Sequence, residues 1–248
     1  MSTTQLDNNK AAEASVMSTP MISRFERWAP MAGILFVLLM VGGGFLVSDV
    51  PNSDAAEQEI AGYLADGDNH TRNIIGAYLW VTGALAFLCF LTRLRGDLRR
   101  AEGGTGALSN LAFGAGVAFA AVWMVSAAAY ASVAFAVQLS DAPVSDPDLV
   151  RVLPSLGGLL LLVGGGFAGS LLMVAASAGI LRTGVLPRWL AWLGIVGAIV
   201  LLFDLAYLNI FPLWVWVFIA SVVMLMRREP TATTAASPGR RAAPAEAV

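Results

Sequence analysis

Residues 182–207 read RTGVLPRWLAWLGIVGAIVLLFDLAY. A basic turn carries Arg182 and Arg188, an aromatic collar follows at Trp189 and Trp192, and a long apolar run then contains one acid, Asp204. The run is hydrophobic on every side, so no face of it suits water, and arginine and tryptophan are the residues that settle at a membrane interface. The stretch predicts a helix that crosses a bilayer.

The same pattern recurs in both directions along the chain. The 248 residues are 57% hydrophobic and 13% charged, whereas soluble domains are roughly a quarter charged. Runs of about 18 or more nearly uncharged residues mark spanning helices. They predict spans at about 28–48, 73–91, 107–139, 153–181, 189–207 and 212–226. The expected fold is all-α, a polytopic bundle of six transmembrane spans within residues 23–228. Residues 1–22 and 229–248 are rich in small and polar residues and are expected to be disordered cytoplasmic tails. No cleavable signal pattern accompanies the first run, so it is expected to be retained. The third and fourth runs, at about 1.5 Å per residue, exceed the ~30 Å hydrocarbon layer and must tilt or project.

Charge is sorted between the ends of these spans. Arg24, Arg27, Arg93, Arg95, Arg99, Arg100, Arg182, Arg188, Arg227 and Arg228 fall on one side of a six-span chain. On the other side Arg72 and Arg151 lie among Asp49, Asp54, Glu57, Glu59, Asp66, Asp68, Asp141, Asp146 and Asp148. Basic residues stay in the cytoplasm, so both termini are expected there. In the first acidic loop, Ala56, Ile60, Tyr63 and Leu64 recur at helical spacing. They predict a short extracytoplasmic amphipathic helix at the membrane surface or over the bundle mouth. Glycines mark close helix contacts in lipid. Gly42, Gly43 and Gly44, Gly114 and Gly116, the Gly165–Gly169 pair and the Gly194–Ala198 pair are the expected ones.

The loop RLRGDLRRAEGG after the second span, GVLPRWLAWLG opening the fifth and DAAEQEIAGYLADG between the first two carry a resemblance. From Arg24 to Arg228 the chain resembles a family of uncharacterised bacterial six-span integral membrane proteins. The resemblance implies a bacterial cytoplasmic (inner) membrane, multi-pass, and transfers no activity to any residue.

Asp204 is the residue most suited to chemistry. It lies about 24 Å along a helix from Arg188, in the outer third of the membrane. An acid costs about 2.5–3.5 kcal/mol at the bilayer centre and such groups face the bundle interior. It is either a proton or ligand site, or a paired acid hydrogen-bonded to Tyr207, Tyr130, Ser126 or Ser132. The arginines Arg93, Arg95, Arg99 and Arg100 either contact anionic lipid, at about 1 kcal/mol each, or simply set orientation. Asp66, Asp68 and His70 stand at alternate positions, but Thr71 and Ala77 occupy the places where a calcium loop needs glycine and an acid. A solvated turn is expected there, and no metal.

Absences bound the activity. The one histidine, His70, lies outside every predicted span, so histidine-ligated haem and histidine-dependent intramembrane proteolysis are unsupported. No zinc-protease, P-loop or dinucleotide fingerprint occurs, and no nucleic-acid-binding face. No cofactor is expected. The chain is expected to be non-enzymatic, a structural or regulatory membrane component whose partners are the lipid bilayer, other membrane proteins or a second copy of itself. The alternative is a small secondary carrier, proton-coupled through Asp204.

Overall fold

A computed structural model describes residues 28–47, 50–51, 54–139, 147–203 and 210–227. Among these residues the fold is all-α, with no strand. The helices are α1 (Trp28–Leu46), α2 (Glu57–Ala65), α3 (Gly67–Glu102), α4 (Ala107–Leu139), α5 (Pro147–Leu160), α6 (Gly166–Thr183), α7 (Arg188–Phe203) and α8 (Phe211–Met226). A π-helical turn, Leu161–Gly165, joins α5 to α6 without a break. Four helical stretches are long and apolar enough to cross a membrane: Trp28–Leu46, Gly67–Glu102, Ala107–Gln138 and Asp148–Thr183. The other two apolar helices, α7 and α8, have 16 residues each, about 24 Å at the standard rise. The tails expected at 1–22 and 229–248 lie outside the described residues, as do Arg24, Arg27 and Arg228.

α3 is 36 residues long and differs most from expectation. The basic segment after the second span, read as a loop, continues the helix to Glu102. Arginine, leucine, glutamate and alanine are good helix formers, and Leu94 and Leu98 place an apolar stripe on the core at 1% and 0% exposure. Asp97 lies within reach of Arg93 and Arg100, at i−4 and i+3. The helix stops where Gly103, Gly104 and Gly106 take positive φ, a conformation costly for any residue with a Cβ. At its other end α3 starts at Gly67, where the Asp66 carboxylate accepts from the Asp68 and Asn69 amides at 3.1 and 3.2 Å.

α4 matches its expected range. It packs against α3, α5 and α6, while α7 packs between α6 and α8. α1 closes the ring between α3 and α8. Its Gly43 admits the Trp80 ring of α3 and its Gly33 admits Ser221 of α8. Trp80 Nε1 donates to the Met40 carbonyl at 3.2 Å. Phe36, Phe87, Phe90, Phe119, Trp123 and Trp216 are buried in one core cluster among these helices. Outside it, Leu38, Phe45, Tyr78, Phe167, Trp192 and Phe203 are more than half exposed. Exposed apolar side chains on these helices are compatible with lipid contact.

The excess length of α3, α4 and α5 supports a second, smaller core at one end. Ile60 and Tyr63 of α2 pack there with Ala55, Val133 of α4 and Val150 of α5. At the opposite end the arginine-bearing helix ends meet. Arg95 of α3 donates to Asn110 of α4, and Arg227 after α8 donates to the Val185 carbonyl between α6 and α7.

Candidate functional site

Asp204 and Tyr207 lie outside the described residues. Of their expected neighbours, Ser126 and Tyr130 come together on α4 against the Gly157–Gly158 pair of α5. The buried Ser126 hydroxyl donates to the Gly157 carbonyl. A Cβ added at Gly158 would lie 3.0 Å from the Tyr130 hydroxyl oxygen. The pair of glycines therefore lets α5 approach α4 closely enough for both contacts. Ser132 does not join them, since its hydroxyl donates to the Ala129 carbonyl of its own helix at 2.7 Å.

Tyr130 opens onto an aromatic column. Its ring meets Trp80 edge-on at 5.6 Å, Trp80 meets Trp123 at 5.8 Å, and Trp123 meets Trp214 at 6.0 Å. Trp80 Nε1 is satisfied by Met40, but among the described residues the buried Nε1 atoms of Trp123 and Trp214 have no partner. Beside the column runs the irregular part of the α5–α6 rod. Pro154 lies inside α5 and lacks the amide hydrogen for a regular helix bond. The π turn Leu161–Gly165 follows, in a glycine run from Gly164 to Gly166. Trp214, in the turn that opens α8, belongs to this column.

A second polar group sits under α2. His70 and Asn73 are each 1% exposed and lie one turn apart on α3. The Asn73 amide donates to the Tyr63 hydroxyl at 2.7 Å, and the His70 ring meets the Tyr63 ring edge-on at 5.0 Å. Among the described residues, His70 Nε2 and Asn73 Oδ1 are buried without partners. Burial pushes the Tyr63 phenol above its usual range, with the Asn73 bond pulling weakly the other way. The solvated turn expected here is thus incorrect. α3 begins before His70, and helical geometry turns that residue inward while Asp68 stays exposed. Asp66 is spent on capping. Among the described residues no group of three or more His, Cys, Asp or Glu side chains could hold a metal.

The four arginines considered for lipid contact divide in two. Arg93 pairs with Asp97 at 3.1 Å and its side chain is 16% exposed. Arg95 donates to Asn110 Oδ1 and lies 4.7 Å above the Phe113 ring. Arg99 and Arg100 are exposed, although Arg100 also reaches Asp97 at 3.5 Å. The Tyr63–Asn73–His70 group was invisible to sequence reasoning because an Asn and a His near a span end resemble any loop. Only the register of α3 under α2 makes them interior.

Compared with known protein families, with curated proteins and with solved structures, the chain has no match.

Proposed function

We propose that the chain is a six-span protein of a bacterial inner membrane with both termini in the cytoplasm. In this reading α7 and α8 cross with the four longer stretches, α2 is an amphipathic cover over the outer mouth, and the arginine end faces inward. It acts without catalysis, as a structural or regulatory component that engages lipids or other membrane proteins.

The observation that carries the reading is the packed aromatic core. Phe36 and Phe87 are in ring contact at 4.9 Å, Phe87 and Phe119 at 5.6 Å, and Phe119 and Trp123 at 5.8 Å. All four side chains are at most 3% exposed. A bundle closed by interlocked rings from α1, α3 and α4 is built to hold its shape and present its outer surface. Purification in mild detergent with identification of co-eluting lipids and proteins tests this. A retained protein or lipid species is expected, together with a flat thermal-shift screen against ions and small metabolites. A metabolite that stabilises the protein in a pH-dependent way, and fails on Asp204→Asn, would overturn it.

A second reading, a small secondary carrier coupled through Asp204, is favoured by one feature. The α5–α6 rod carries Pro154, a π turn and a glycine run, and among the described residues the buried indole N–H groups of Trp123 and Trp214 have no acceptor. Interrupted helices near the bilayer centre are where carriers bind substrate. An unsatisfied buried donor costs about 1–3 kcal/mol, which a second packing of the rod could recover.

A further inference from the structure

The outer end of α5 borders an open cleft of about 530 Å³, within the roughly 300–1,000 Å³ of small-molecule sites. Its described lining is Asp148, Arg151, Val152, Ser155, Leu156 and Leu159. These positions recur every three or four residues, so they share one face of the helix. The charged residues are at the top. Arg151 Nη1 donates to Asp148 Oδ1 at 3.2 Å, while its Nε and Nη2 donate to the Ala55 carbonyl at 3.3 and 3.1 Å. The guanidinium is therefore held by the segment leading into α2, with its side chain 26% exposed beside an 81% exposed Asp148. Below them Val152, Leu156 and Leu159 are 58%, 46% and 56% exposed.

From Asp148 to Leu159 the helix rises about 16 Å, close to half of the ~30 Å hydrocarbon layer. The cleft thus has an opposite-charge pair at one end and an apolar wall one leaflet deep. We propose that it seats a phospholipid of the outer leaflet with a phosphoethanolamine headgroup. The phosphate lies against Arg151, the ammonium donates to Asp148, and an acyl chain runs down Val152, Leu156 and Leu159. A headgroup with both charges matches both members of the pair. A purely anionic headgroup meets the exposed Asp148 carboxylate with no cation to offer it. The inference rests on the membrane reading above, with the α2 end outside.

Native mass spectrometry of the full chain in detergent, titrated with phosphatidylethanolamine, phosphatidylcholine and phosphatidylglycerol of identical chains, tests the headgroup. A preference for phosphatidylethanolamine over phosphatidylglycerol of roughly three- to fivefold is expected, the scale of one weak ion pair. Asp148→Asn should abolish that preference, and Val152→Trp should lower retention of all three lipids. Equal retention by the wild type, or an unchanged preference in Asp148→Asn, would overturn the site. The side of the membrane is read separately, with an impermeant thiol reagent on Glu57→Cys in a Cys89→Ser background. Labelling from outside is expected. Labelling only from the cytoplasmic side would sink the outer-leaflet assignment and leave the headgroup measurement standing by itself.

Discussion

The side-chain amide of Asn73 donates to the Tyr63 hydroxyl at 2.7 Å, and this bond joins α2 to a fully buried position on α3. Ten residues separate the two in sequence. With Ile60 buried beside Tyr63, it gives a nine-residue helix, too short to persist alone, a fixed place over the bundle.

Tyr63→Phe removes the acceptor and leaves a buried amide unpaired, at a cost of about 1–3 kcal/mol. Combining it with Asn73→Leu removes both polar groups, so the double variant should lose less than the single one. Hydrogen exchange over residues 57–65 reads the effect. Equal exchange in wild type and Tyr63→Phe would remove the bond from the account of α2.

The same residue predicts an alkaline transition. Because burial raises the Tyr63 pKa above the ordinary tyrosine value of about 10, the folded state favours the protonated phenol. Its contribution is complete below the unfolded value and is lost as pH rises through the raised folded value. Exchange protection of α2 should fall above about pH 10 in the wild type, and less steeply in Tyr63→Phe. Parallel profiles in the two proteins would refute this.

Glycines divide by what a Cβ would meet. At Gly194 it would lie 2.2 Å from Ser177 Oγ and 2.7 Å from Trp216 Nε1, whereas at Gly114 nothing lies within 4 Å. Gly194→Ala should cost about 1–3 kcal/mol by overpacking. Gly114→Ala should be neutral or stabilising by up to about 1 kcal/mol through helix propensity. Thermal midpoints in one detergent separate them, and equal shifts would contradict the packing of α6, α7 and α8.

The arginine end should also split. Arg95→Ala forfeits the Asn110 bonds and the Phe113 contact, a loss of about 0.5–1 kcal/mol for the ring contact alone. Arg99→Ala should leave stability within about 0.5 kcal/mol, as for an ordinary surface change. It should instead weaken retention of anionic lipid. Thermal midpoints and lipid co-purification test both halves, and the reverse pattern would exclude the division.

Much of the helical framework was legible in the chain, because hydropathy, helix propensity and turn residues act locally. The apolar runs, the helical periodicity at Ile60 and Tyr63 and the α4 boundaries all follow from residues near one another in sequence. The end of α3 was not legible from hydropathy, because the apolar run stops at the arginines while Leu94 and Leu98 still pack on the core. Contacts between helices were a different matter. Gly43 and Gly116 do face neighbours and Gly44 and Gly114 do not, though all four were equally good candidates. Arg93 and Arg95 turn to protein partners while Arg99 stays exposed, and His70 goes inside. The composition of a helix sets whether it suits water or lipid. Its rotation about its own axis is set by what packs against it, and that was decided only when all the helices met.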